Sequence, residues 1–137
     1  MNGFLLDTNV VSELRKKDRC HPKVDAWAQA VPRNHDFLSV LVVGELTRGA
    51  NLKRRNDPAT AAALERWIGQ LTHLYSDRIL PVTLEIAQEW GRLSALRPLP
   101  PEDGLLAATA MVHRLTLVTR NVKNVDGLGV SLLNPWL

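Results

Sequence analysis

Three carboxylates stand in apolar surroundings: Asp7 in Leu5-Leu6-Asp7-Thr8-Asn9, Glu45 in Val42-Val43-Gly44-Glu45-Leu46, and Asp103 in Pro101-Glu102-Asp103-Gly104-Leu105-Leu106. Apolar flanks predict partial burial. A buried carboxylate is costly to ionise without a partner. If a fold gathers three of them, their repulsion calls for a cation, and a hard divalent metal taking oxygen ligands meets that need. The chemistry such an ion serves best is at phosphate. Each acid also has a plainer reading. Asp7 fits an N-cap after a strand. Glu45 fits a solvated helix position. Asp103, like its neighbour Glu102, fits a first-turn partner of the helix dipole, and periodicity does not choose between those two.

The elements that must position these residues follow from hydrophobic period and punctuation. Gly3-Phe4-Leu5-Leu6 reads as a buried strand ending at Asp7, followed by a helix from Thr8 to about Lys17. His21-Pro22 opens a second helix with Val24, Trp27, Ala28 and Val31 at helical spacing, and Pro32 to Asp36 is a turn. Phe37-Leu38 is a strand. Ser39 caps a helix to about Arg55, on which Leu41, Glu45 and Gly49 share a face. Asn56-Asp57-Pro58 breaks the chain, and Pro58 starts a long helix to about Leu74. Arg78 to Val82 is a strand, and Thr83 caps the helix carrying Ile86, Trp90 and Leu93. Pro101 is placed as the first residue of the next helix. That helix lacks charge from Gly104 to Val112, the mark of a deeply buried element. Thr116 to Thr119 and Val130 to Leu133 complete the strands.

Short apolar strands alternating with helices indicate an α/β fold around a mainly parallel sheet of four to five strands. At 137 residues, with no repeat or composition shift, the chain reads as one domain over 1–137. Sites in such sheets lie beyond the carboxyl ends of strands, which is where Asp7 and Asn121 fall. Hydrophobic residues make up 45% and charged ones 23%, which argues against disorder. The net charge of +3 suits a polyanionic partner. A single cysteine, Cys20, excludes an internal disulfide and a thiolate zinc site. The early run Arg15-Lys16-Lys17 does not fit a signal peptide, and no stretch approaches 18 apolar residues, so a cytoplasmic protein without a membrane span is expected. Two basic clusters, Arg15-Lys16-Lys17 with Arg19 and Lys53-Arg54-Arg55, fall at predicted helix ends. They can answer helix dipoles or contact a phosphate backbone.

Four segments in order, Leu5-Leu6-Asp7-Thr8-Asn9, Val43-Gly44-Glu45-Leu46, Asp103-Gly104-Leu105-Leu106-Ala107-Ala108-Thr109-Ala110 and Leu117-Val118-Thr119-Arg120-Asn121, resemble the motifs of PIN domains. With the closing Leu132-Leu133-Asn134-Pro135-Trp136, the whole chain resembles the VapC toxins, most closely the FitB-like branch. The resemblance implies a three-layer α/β/α sandwich. It also implies a toxin of a type II toxin–antitoxin system, a Mg²⁺- or Mn²⁺-dependent endoribonuclease that hydrolyses RNA with a metal-activated water. A small cognate antitoxin and a homodimer come with it. By motif position Asp7, Glu45 and Asp103 correspond to the metal-site acids, with Asn121 completing the catalytic set. Thr8, Thr119 and Asn124 are the supporting polar residues. Arg120 and Lys123 lie nearest the site for RNA, with Arg15, Lys16 and Lys17 as further candidates. Many relatives carry an Asp where this chain has Asn124, and Asp126 is the nearest acid that could replace it. The alternative is a degenerate module that binds RNA or a protein without cutting.

Overall fold

The computed structural model describes residues 3–32 and 34–137. Five strands, β1 (Phe4–Leu6), β2 (Asp36–Ser39), β3 (Ile79–Leu80), β4 (Thr116–Val118) and β5 (Leu132–Leu133), form one sheet in the order β3-β2-β1-β4-β5. Every pairing is parallel. Six helices connect them: α1 (Thr8–Arg15), α2 (Pro22–Ala30), α3 (Val40–Lys53), α4 (Pro58–Leu74), α5 (Leu84–Leu96) and α6 (Pro101–His113).

Parallel strands need crossovers, and crossovers are right-handed. The chain steps from β1 outward to β2 and β3, so α1 to α4 fall on one face. It then returns past β1 to β4, which puts α5 and α6 on the other. The packing agrees: α1 meets α2 and α3, α3 meets α4, and α5 lies along α6. The result is the α/β sandwich expected from the sequence.

The caps show why the elements begin where they do. Ser39 Oγ accepts from the Leu41 amide at 3.0 Å, and Thr83 Oγ1 from Ile86 at 3.2 Å. Asp57 accepts from Thr60 at 3.1 Å ahead of Pro58. Pro22, Pro58 and Pro101 each stand at a helix start, where the missing N–H costs nothing. Some bounds differ from expectation. α1 stops at Arg15 because Lys17 takes φ 54°, and a short 3₁₀ turn (Lys17–Arg19) follows. β3 and β5 shrink to two residues at the sheet edges. The turn expected from Pro32 to Asp36 includes Arg33, which lies outside the described residues, and Asp36 itself opens β2.

The core runs through Leu5, Leu6, Leu38, Val42, Ile86, Leu93, Leu106, Leu117 and Val118. α6 contributes Gly104 and every residue from Leu106 to Ala110, all buried, as its uncharged sequence predicted. Gly104 lets α6 pack tightly against Trp90 of α5: a Cβ there would stand 3.0 Å from Trp90 Cδ1. At the opposite end of the sheet from the acids, the Tyr75 hydroxyl donates to Asp36 Oδ2, and the Arg78 guanidinium lies 4.7 Å over the Tyr75 ring. Burial pushes the Tyr75 phenol well above its ordinary range, and the bond to Asp36 adds to it. None of the helices among the described residues is long and apolar enough to cross a membrane.

α6 ends with Arg114 in the left-handed region, φ 56° and ψ 43°. That conformation costs a non-glycine residue about 1–2 kcal/mol, partly offset by glycine's extra freedom when unfolded. Arg114→Gly is expected to raise the unfolding free energy by about 0.5–1 kcal/mol, measured by urea denaturation.

Candidate active site

Strand order reverses at β1, so β1 and β4 part company in their connections, and a crevice opens beyond their carboxyl ends. Leu6 pairs with Val118, and the next residue on each strand is Asp7 and Thr119. Asp7 is 7% exposed. Its Oδ1 accepts from the Thr8 amide at 2.7 Å, the N-cap bond of α1. Its Oδ2 accepts from Thr119 Oγ1 at 2.7 Å. The N-cap reading and the site reading of Asp7 therefore both hold, one on each oxygen. Asn9 ties the same two strands together: Nδ2 lies 3.4 Å from both Asp7 Oδ2 and Thr119 Oγ1, and Oδ1 accepts from the Arg120 amide at 3.2 Å. Thr119 Oγ1 also accepts from the Asn121 amide at 3.0 Å.

Around this junction a cleft of about 250 Å³ is lined by Asp7, Thr8, Asn9, Glu45, Glu102, Asp103 and Asn121. Glu45 reaches it from the second turn of α3. Glu102 and Asp103 come from the first turn of α6. Four carboxylates from three parts of the chain thus face one space. Their electrostatics record it. Burial raises the Asp7 carboxyl above its ordinary value; the bonds from Thr119 and Thr8 pull it back, while Asp103 and Glu45 push it further up. Glu102 is raised to about 7, first by burial, then by a hydrogen bond and charge repulsion from Glu45, with Asp7 and Asp103 adding to it. Near neutral pH the Glu102 carboxyl is therefore only part-ionised.

Among the described residues, no three Asp, Glu, His or Cys side chains converge closely enough to form a ready-made metal cage. Asp7 is occupied by Thr8 and Thr119, Asp103 Oδ2 by Asn124 Nδ2 at 2.9 Å, and Glu102 by Glu45. The donor set still suits a hard cation. It is all oxygen, and Mg²⁺ keeps several waters and takes one or two protein carboxylates. The Thr8 hydroxyl adds to this, since it is buried beside Asp7 without a hydrogen-bond partner.

Asn124 stands in the site, on a 3₁₀ turn (Val122–Asn124) that follows β4. Asp126 does not replace an acid there: its carboxylate lies 3.8 Å from Arg97, whose guanidinium also donates to the Asp126 and Asn124 carbonyls at 2.8 and 3.2 Å. Of the basic residues, Arg120 is next to the cleft, its guanidinium 5.0 Å over the Trp136 ring, and Lys123 is exposed on the same turn as Asn124. The Arg15 cluster is elsewhere. Arg15 ends α1, roughly 10 Å along the axis from Thr8, and stacks 5.4 Å over Trp67. Lys16 pairs with Glu13 at 3.0 Å, and Lys17 is exposed. Arg54 of the second cluster pairs with Glu65. Asn9 and Glu102 are the site residues that spacing alone did not single out.

A parallel sheet with carboxylates gathered at its switch point is the arrangement found here, and residues 4–124 match the family model of the PIN domain. The chain belongs to the PIN domain family. It is 32% identical to "Toxin FitB" of Neisseria gonorrhoeae, the match covering 97% of this chain and 98% of that protein. It is 30% identical to "VapC ribonuclease Y4jK" of Sinorhizobium fredii, with 97% of each covered. Among solved structures, "Crystal Structure of FitAcB from Neisseria gonorrhoeae" superposes with a TM-score of 0.87 at 29% identity, over 97% of this chain and 98% of that one.

The raised Glu102 carboxyl makes stability depend on pH. Between about 4.5 and 7 the folded state keeps a proton that the unfolded state has released, so stability falls as pH rises through this window and recovers on acidification. Metal-free protein is expected to melt at lower temperature at pH 8 than at pH 5.5. Glu102→Gln should remove much of that difference, as read by differential scanning calorimetry in EDTA.

Proposed function

We propose that this chain is the toxin of a toxin–antitoxin pair: an endoribonuclease dependent on Mg²⁺ or Mn²⁺, folded as one PIN domain over 1–137 and acting in the cytoplasm as a homodimer. The observation that carries the reading is the single cleft into which Asp7, Glu45, Glu102, Asp103 and Asn121 all face. The relatives named toxins and ribonucleases, and a neighbour solved as FitAcB, support the activity and a small antitoxin partner.

In this reading Asp7 and Asp103 hold the cation, with Glu45 as the third acid. When bound, the cation activates a water for attack and offsets charge building on the phosphate. The protein's own share is orientation. Thr8 N–H and Thr119 Oγ1 fix the two Asp7 oxygens in place, so the carboxylate needs no reorganisation when it is used. Asn124 does the same for Asp103, donating where an acid would have repelled it. Glu102, raised to about 7 by burial and by Glu45 beside it, can release or take up a proton near neutral pH. Asn121, held by its amide to Thr119, offers a carboxamide at the cleft for the substrate backbone. Arg120 and Lys123 stand at the rim, where RNA phosphates would pass.

One observation favours a second reading. Asn124 removes a carboxylate from the site, which suits a module that binds RNA without cutting it. The two separate in one assay. Antitoxin-free protein is expected to cut single-stranded RNA with Mn²⁺ and not in EDTA. Asp7→Asn and Asp103→Asn should each lower the rate by at least about 100-fold while keeping the wild-type circular dichroism spectrum. Wild-type protein that binds RNA tightly but never cuts it, across several sequences, would establish the binding module instead.

A further inference from the structure

The acid cleft does not end at Glu45 and Glu102. Both residues also line a second cavity of about 450 Å³, whose remaining walls are Val40, Leu41, Gly44 and Arg48. This volume lies within the range of about 300–1,000 Å³ typical of small-molecule sites. Its floor is one face of α3, since residues 40, 41, 44 and 48 recur at helical spacing. Three features set the chemistry of what fits. Val40, 42% exposed, and the partly buried Leu41 offer an apolar surface. Gly44 leaves the floor open: a Cβ built there meets nothing within 4 Å. Arg48 is exposed one turn after Glu45 and makes no ion pair among the described residues.

An apolar surface, a cation without an ion pair and direct continuity with the acid cleft thus lie together on one face of α3. A nucleotide presents the matching groups: a base with an apolar face and a phosphate. We propose that the cavity along the first turns of α3 seats the nucleotide adjoining the scissile phosphate, its base against Val40 and Leu41 over Gly44 and a phosphate against Arg48. The proposal rests on the ribonuclease reading and adds a subsite to it. Gly44 would then be the residue that admits a base, and Arg48, which no motif singled out, a residue that holds a phosphate of the strand.

Gly44 also supplies the test, because a larger side chain there fills the cavity while improving helix propensity. Gly44→Leu should therefore fold, with a melting temperature at or above wild type. In an Asp7→Asn background, which binds without cutting, Gly44→Leu is expected to raise the Kd for a single-stranded oligoribonucleotide about tenfold, in keeping with loss of one stacked base. Arg48→Ala should reduce the slope of log Kd against log salt by about 0.7, the loss of one phosphate contact on a single strand. Gly69→Ala, an exposed glycine of α4 with equal room for a Cβ, should change neither. With Asp7 restored, Gly44→Leu should alter base preference at one position next to the cut and at no other. Unchanged RNA affinity and base preference in Gly44→Leu would overturn the subsite while the ribonuclease reading stands. The same holds if the variant instead disrupts self-association or antitoxin capture, which would make the cavity a protein interface. Wild-type protein that neither binds nor cuts RNA with Mn²⁺ would remove both readings together.

Discussion

The pairing of β1 with β4 is the constraint from which the site follows. Leu6 beside Val118 leaves Asp7 beside Thr119, and a 2.7 Å hydrogen bond closes the gap between them. Nothing else in the sheet can substitute, because only at this switch point do neighbouring strands send their chains to opposite layers. α1 leaves one way carrying Thr8 and Asn9; the turn after β4 leaves the other carrying Asn121 and Asn124. The opening between them is what α3 and α6 then edge with acids.

The cost of that arrangement is visible in the carboxylates. Asp7 is buried and raised, yet two donated hydrogen bonds pull it back toward the charged form. Glu102 has no such donors and keeps its proton to about pH 7, resting against Glu45. Of the acids that would otherwise repel one another, Asp7 and Asp103 are thus held by neutral donors, and Glu102 keeps a proton beside Glu45. Asn124 fits this scheme: a carboxylate in its place would face Asp103 as a like charge, whereas the carboxamide donates to it.

Much of this was legible in the order of residues. Ser39, Thr83, Pro58 and Pro101 mark helix starts by their own chemistry, and the structure has them there. The uncharged run of α6 gave its burial directly. Three motif acids pointed to one cleft, and they line it. What stayed hidden depends on register between distant segments. The role of Asn9 needs β4 alongside β1. The choice between Glu102 and Asp103 could not be made from period because both first-turn residues face the cleft. Arg97 clasps the carbonyls of residues 124 and 126 through a contact 27 and 29 positions away, which also explains why Asp126 is turned from the site. The short edge strands β3 and β5 were overestimated because their apolar runs continue beyond the paired residues.

The separation of Asp7 from Thr119 carries a consequence for how the protein comes into being. Phe4 meets Thr116 only after more than a hundred residues have been joined, and contacts so remote in sequence form late. On the ribosome, the first strand and its aspartate emerge long before the strand that completes their pocket. Until β4 has followed, the growing polypeptide therefore lacks an assembled centre, and a chain cut short before Thr119 never gains one.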